Sequence, residues 1–312
     1  MKNQLKYLSL FIAQVLFLTL NYNNSFAQET TDSTATAQEA TATTADDHNI
    51  PLYKPVKNTF EGVMLIDNQT VMVPMKGTLE FDIQHRFGVV TNGAKDLWGI
   101  FAPSNIRLGM NYAPIKNLFL GVGLTKERMQ LDLNGKYGIL YQTPHKMPVS
   151  VTYFANMVID TRDRSNFRYS EYRYSYFHEL IIARKVTDRF SLQIAPNLSW
   201  YNNVDGYVDS KGNIQPKMNN AHFAIATLAR FKLTDRSSII FCYDQPLTQH
   251  PTNNPHPNVA FGFETTTSAH SFQVFATNFY GIVPQSNNFF NQNDYTEGSY
   301  LIGFNITRLW NF

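Results

Sequence analysis

From residue 77 onward, apolar and polar side chains alternate one for one, in segment after segment of about 9 to 12 residues. In the first segment Leu79, Phe81, Ile83, Phe87 and Val89 alternate with Glu80, Asp82, Gln84 and Arg86. A β-strand sends successive side chains to opposite faces. One face here is apolar and the other charged, as expected of a strand that separates oil from water. The pattern recurs with Ile106, Leu108, Met110 and Tyr112 against Arg107, Gly109 and Asn111. Leu131, Leu133, Tyr137 and Ile139 then oppose Asp132, Asn134 and Lys136. Val151, Tyr153 and Met157 oppose Ser150, Thr152 and Asn156, and Phe190, Leu192 and Ile194 oppose Ser191 and Gln193. Pro196 interrupts that last row and predicts a bulge. Further on, Phe223, Ile225 and Phe231 face away from His222 and Arg230, and Phe261 and Phe263 away from Glu264. Around 174–185 and near Phe275 the alternation blurs, and the facing of those strands cannot be read.

Beyond residue 27 no apolar run approaches the roughly 20 residues a membrane helix needs. Mean hydropathy is slightly negative although 14% of the chain is aromatic. The expected fold is all-β: an antiparallel transmembrane β-barrel of about 12 strands with short periplasmic turns and longer outer loops. Loop lengths support it, since short and long connections largely alternate. Two of the short ones share a sequence, Thr187-Asp188-Arg189 and Thr234-Asp235-Arg236, suited to a polar hairpin turn.

Residues 1–27 have the form of a secretory signal peptide: Lys2 and Lys6, an apolar core, then Ser25-Phe26-Ala27 at the cleavage site. Residues 28–50 are mostly Thr, Ala, Asp, Glu and Gln, without Phe, Tyr or Trp, and are expected to be a disordered periplasmic linker. Residues 51–76 are expected to form a short hairpin before the barrel, at its mouth or plugging it, with Asp67-Asn68-Gln69 as its turn. Residues 77–312 are expected to form the barrel. The single cysteine, Cys242, excludes an internal disulfide. A net charge of +2 supplies no basic field for nucleic acid.

The last segment alternates Tyr300, Ile302, Phe304 and Ile306 with Ser299, Gly303, Asn305 and Thr307, interrupted at Leu301, and continues through Trp310 to Phe312. It resembles the closing strand of bacterial outer-membrane barrels. That resemblance implies an assembly signal in Tyr300, Phe304, Trp310 and Phe312, with the barrel-assembly machinery and outer-membrane lipid as partners. The stretches 77–88, Asn105-Ile106-Arg107-Leu108-Gly109, Met147-Pro148-Val149-Ser150-Val151-Thr152 and Thr187-Asp188-Arg189-Phe190 resemble a family of Gram-negative membrane β-barrel proteins of unknown function. The resemblance implies fold and compartment, the outer membrane, and no catalytic residue or cofactor.

No hydrolase, phosphate-binding or dinucleotide motif appears. His178 with Glu179, or His222 with Ser237 or Ser238, are the candidates for a lipid hydrolase. Adjacent residues point to opposite faces, which argues against the first pair. His250, His256 and Asp244 are candidate metal ligands, with a solvated loop as the alternative. His85 is expected at the membrane interface. The lumen row is more informative: Glu80, Asp82, Arg86, Arg107, Asp132, Lys136, Arg230 and Glu264 are all expected to point inward. Either these charges bridge and close the barrel, or they line a water-filled pore. The expected function is a narrow channel for small solutes. The alternatives are a structural or adhesion barrel acting through its outer loops, and a membrane-embedded hydrolase.

Overall fold

The computed structural model describes residues 54–312, so the signal-peptide and linker readings lie outside the described residues. Within them, a two-stranded hairpin precedes twelve strands that close into one antiparallel barrel. The hairpin pairs β1 (Met64–Leu65) with β2 (Asn68–Gln69). Its turn is Ile66-Asp67, one residue earlier than expected from the sequence, because Asn68 and Gln69 pair with the strand opposite.

The barrel strands are β3 (Thr78–Val89), β4 (Asn105–Ile115), β5 (Leu118–Thr125), β6 (Gln130–Leu140), β7 (Ser150–Asp160), β8 (Tyr174–Lys185) and β9 (Phe190–Tyr201). After a small exposed hairpin of β10 (Gly206–Val208) and β11 (Ile214–Pro216) come β12 (Ala221–Lys232), β13 (Ser237–Pro246), β14 (Asn258–Thr266), β15 (His270–Thr277) and β16 (Leu301–Asn311). Each barrel strand pairs with its neighbour in sequence, and β16 closes the ring on β3, with Asn311 opposite Thr78. Closure leaves no unpaired edge.

The two ends differ. One end carries the brief turns at 116–117, 186–189, 233–236 and 267–269; the other carries 90–104, 161–173, 202–220 and 278–300. The outward side chains form an apolar band that includes Leu108, Leu124, Leu133, Phe223 and Phe263. No helix of the described residues is long and apolar enough to cross a membrane, which says nothing of crossing by strands.

Pro196 does not make a bulge. Its strand keeps one register against β12 throughout, with Ile225 opposite Pro196. On the β8 side the pairing lapses between Asn197 and Ile194 and resumes in the same register. Proline removes one N–H from the ladder, and only the bonds on that side are lost.

The blurred strands also have a physical cause. On β8 the inward row includes Phe177, Ile181 and Ala183, all buried, while Leu180 and Ile182 face outward. Inward Leu228, Ile240, Cys242, Ala260 and Phe275 continue this lining across β12 to β15. These strands are apolar on both faces, and strands buried on both faces do not alternate. What their inner face meets is the hairpin. Phe60, Leu65, Ile66 and Val71, each at most 3% exposed, pack against that lining in one cluster. Burying each contributes on the order of 1.5–3 kcal/mol.

Candidate functional site

The lumen has two unlike halves. The wall from β8 to β15 mixes an apolar patch, which packs on the hairpin, with buried polar groups. The wall from β3 to β7 is polar and lines two small cavities, each with room for about one water-sized group. The cavities share Met64, Gln69, Gln84, Arg107 and Asn134, so they lie side by side along the hairpin.

Arg107, on β4, lines both cavities. Its Nη1 donates to Asp82 Oδ1 at 2.8 Å, while Nε and Nη2 donate to the two oxygens of Asp132 at 2.8 and 2.9 Å. The strand register delivers this geometry: Asp82 sits opposite Gly109, and Gly123 opposite Asp132. A Cβ on Gly109 would collide with the Asp82 carboxylate, and one on Gly123 with Asp132 and the Arg107 guanidinium. The two glycines make room for a planar cation between two carboxylates, a fork that suits arginine. Asn111 completes the network, donating to Glu80 and Asp82 at 3.1 and 3.0 Å.

The other three inward cations hold the amino-terminal segment. Lys136 Nζ donates to the backbone oxygens of Val63, Thr70 and Met72 at 2.7, 3.1 and 3.3 Å. Arg86 reaches the Ile66 oxygen at 3.4 Å and Asn305 at 3.0 Å, with its guanidinium 4.6 Å from the Phe275 ring. Arg230 bridges Glu61 at 2.7 Å and Glu264 at 3.3 Å. All eight residues expected to point inward are buried; Glu80, Asp82, Arg107 and Asp132 line the two cavities, and Arg86, Lys136 and Arg230, the last with Glu264, hold the amino-terminal segment.

Sequence reasoning missed the amides that complete the grip. Gln273 accepts from Ile66 N at 3.0 Å and donates to the Met64 oxygen at 3.1 Å. Gln193 accepts from Val71 N at 3.0 Å and donates to the Gln69 oxygen at 2.7 Å. Each side-chain amide docks on a free hairpin edge as a further peptide group would. Asn305 adds a bond to the Ile66 oxygen at 2.6 Å. Ile66 itself has φ of 62°, a region β-branched residues rarely adopt. Strain of about 1–3 kcal/mol persists only where the surroundings over-determine the conformation, and here both peptide groups of Ile66 are held.

A second element enters from the long-loop end. The loop 278–300, expected outside, turns inward and forms helix α1 (Pro284–Phe290), with Pro284 in its first turn. Gln285, Asn287, Asn288 and Phe289 are all buried. Gln285 donates to Asn156 at 3.1 Å and Asn288 to Asn197 at 2.9 Å. Asn287 donates to Asp67 at 3.0 Å, so helix and hairpin tip meet inside the barrel. Burial raises the Asp67 carboxyl from 3.8 to about 6, with Arg86 opposing the rise. The signal in the sequence was the run of amides in 285–293, which reads as a solvated loop unless a polar lumen is there to receive it.

Among the described residues the histidines form no hydrolytic or three-ligand metal arrangement. His222 Nδ1 lies 2.8 Å from His250 Nε2, stacked with it, and both rings pack on Phe289. Asn219 N donates to His250 Nδ1, so His250 presents its Nε2–H to His222. Ser238 sits opposite Lys232, ten residues from His222 along β12, about 33 Å at strand rise, which removes the His222–Ser238 pairing. His178 faces outward to the Tyr153 hydroxyl at 2.7 Å while Glu179 is buried inside. His256 faces Asp294 at 3.6 Å, apart from Asp244. Among the described residues no three His, Cys, Asp or Glu side chains are grouped to hold a metal ion. His85 is on the outer face, stacked on Phe304 at 5.0 Å.

The aromatic residues of the closing segment lie along the outside or the end. Tyr300 precedes β16, and its oxygen accepts from Val90 N at 2.8 Å. Leu301, the interruption in the alternation, is fully buried and faces inward. Trp310 stacks under Arg308 at 4.8 Å, and Phe312 is 86% exposed.

A family model described as "Membrane bound beta barrel domain (DUF5777)" matches residues 60–310. The chain belongs to this membrane-bound β-barrel domain family. The match covers the hairpin segment as well as the twelve strands. No curated relative matches the sequence. Solved structures similar to this chain include the NanC porin, at 9% identity over 75% of this chain and 99% of that one, TM-score 0.45. An outer-membrane channel from Pseudomonas putida F1 is similar at 10% identity over 77% and 97%, TM-score 0.47. The toluene transporter TodX of P. putida is similar at 9% identity over 78% and 91%, TM-score 0.36. At these values nothing that those proteins conduct transfers to this membrane-bound barrel.

Proposed function

We propose that this protein is an outer-membrane channel for small solutes, and that residues 59–73 and α1 are its removable obstruction. The observation that carries the reading is how the lumen is filled. A barrel that is merely a rigid post fills its interior with side chains of its own wall. Here the filling is a segment that precedes the first strand and a helix from one loop, each docked through apolar contacts and through hydrogen bonds from side chains. Beside them the two small cavities lie along β3 to β7, and in this reading they mark the path of the solute. With the termini on the periplasmic side, the hairpin enters from the periplasm and α1 from outside. The barrel is exported through the signal peptide, inserted by the barrel-assembly machinery and embedded in outer-membrane lipid. No enzymatic step is assigned.

Planar-bilayer recording of the full chain tests this reading. Wild type should be closed most of the time, with rare small openings. The Gln193→Ala/Gln273→Ala variant removes four bonds to the hairpin and leaves every charge in place. Its open probability should rise at least several-fold. A folded barrel that conducts in neither form defeats the channel reading. That result would favour the second reading, a structural or adhesion barrel, which the Arg107 ion pairs along the wall and the Arg230 pair with the hairpin segment support.

A further inference from the structure

We infer that the conduit selects for cations, its substrates being small solutes with a positively charged, hydrogen-bond-donating group. The inference rests on the channel reading and deepens it.

The first observation is the division of charge. Of the four buried lumen cations, Arg86, Lys136 and Arg230 are engaged with the amino-terminal segment. Arg107 is the one whose side chain lines the path, and it is held between Asp82 and Asp132. Glu80 is a third carboxyl on the same wall. A solute on the path therefore meets carboxylate in excess over guanidinium. A low-dielectric wall focuses such a field and raises the local concentration of the opposite charge.

The second observation is independent of charge. Gln84 is 3% exposed and lines both cavities. Its Nε2 donates to Asp82 at 2.9 Å, which fixes the orientation of the amide. Its Oε1 then faces the path as an acceptor with no donor. A buried acceptor without a donor is rare and costly. Two carboxylates, a further carboxyl and an orphaned amide oxygen on one wall are suited to an ammonium or a hydrated monovalent cation, and unsuited to an anion.

The preference survives opening. Withdrawal of the hairpin segment takes Glu61 and Asp67 with it. It leaves Glu80, Asp82, Asp132, Glu179, Asp244 and Glu264 on the wall against Arg86, Arg107, Lys136 and Arg230.

The test is the reversal potential of the full-length Gln193→Ala/Gln273→Ala variant in a KCl gradient across a planar bilayer. The probe ions are K⁺ and Cl⁻. We expect a several-fold preference for K⁺. Adding Glu80→Gln, which keeps the side-chain volume and an acceptor for Asn111, should lower that preference without changing the yield of folded barrel. Conductance with no preference, or with a preference for Cl⁻, overturns the inference and leaves the channel standing. A preference for K⁺ that Glu80→Gln leaves unchanged overturns the assignment to this wall. A folded barrel without conductance removes the channel reading and this inference together.

Discussion

At the scale of single residues, two buried charges set the behaviour of the lumen. Arg107 is 7% exposed, with Asp82 and Asp132 more buried still. Removing one member of such a group leaves uncompensated charge, which destabilises a fold by about 3–5 kcal/mol. Arg107→Met should therefore lower the denaturant midpoint of the purified barrel markedly. The triple change with Asp82→Asn and Asp132→Asn should recover most of the loss, and failure to recover would place the role of Arg107 elsewhere. Asp67 acts on the hairpin. It faces Arg86 on β3, Glu179 on β8, and Cys242 and Asp244 on β13. Its carboxyl titrates near 6 when docked and near 3.8 when free. The docked state thus holds its proton more tightly, and docking weakens as pH rises from 3.8 through 6, then levels off. Between pH 5 and pH 7 the docking equilibrium should fall roughly tenfold. Protection factors of the Ile66 and Val71 amides in hydrogen exchange should be higher at pH 5. In Asp67→Asn that difference should vanish; if it persists, another group carries it.

At the scale of elements, hairpin and helix are held by different means. The hairpin has an apolar side against β8 to β15 and an amide-bonded edge at Gln193 and Gln273. Helix α1 spans only 7 residues and is too short to be stable alone. It depends on Phe289 against Tyr201, His222 and His250 and on its amides. Phe289→Ala should cost about 3–5 kcal/mol of docking. Hydrogen exchange over 284–290 should accelerate by orders of magnitude while the barrel strands stay protected. If the hairpin amides also lose protection, the Asn287–Asp67 bond couples the two obstructions. These elements also show why part of the site was not legible in sequence. The inward charges of β3, β4 and β6 stand out because water-facing and oil-facing residues differ in kind. Arg230 and Glu264 stand out for the same reason, whereas the inward residues of β8 and those near Phe275 do not, because they meet the apolar side of the hairpin. Gln193 and Gln273 look like ordinary lumen residues until the hairpin edges they bond are in place.

At the scale of the whole molecule, an edgeless twelve-stranded ring with an apolar outer band is a membrane object. The purified protein should need detergent and migrate faster unheated than boiled on gels, as a closed barrel that resists denaturant does. Identical migration before and after boiling would contradict closure. The closing segment supplies a test of assembly. Phe312 is exposed and its backbone N–H donates to the Gly77 oxygen at 3.2 Å, so removing it disturbs little inside the barrel. Deleting Phe312 should nonetheless lower the yield of inserted barrel in cells several-fold. Normal yield would remove the assembly-signal reading of Tyr300, Phe304, Trp310 and Phe312.

The sequence by itself determined a closed antiparallel barrel, the number of its strands to within about two, and the face each charged residue takes on β3, β4 and β6. All of these follow from a period of two and from the requirement that backbone polar groups in lipid be satisfied within the protein. Only the tertiary structure decided what occupies the lumen. A hairpin of two-residue strands and a helix of 7 residues have too little local propensity to be read ahead of the wall that holds them. Their conformations, Ile66 with φ of 62° among them, are set by contacts with residues more than 100 positions away in the chain.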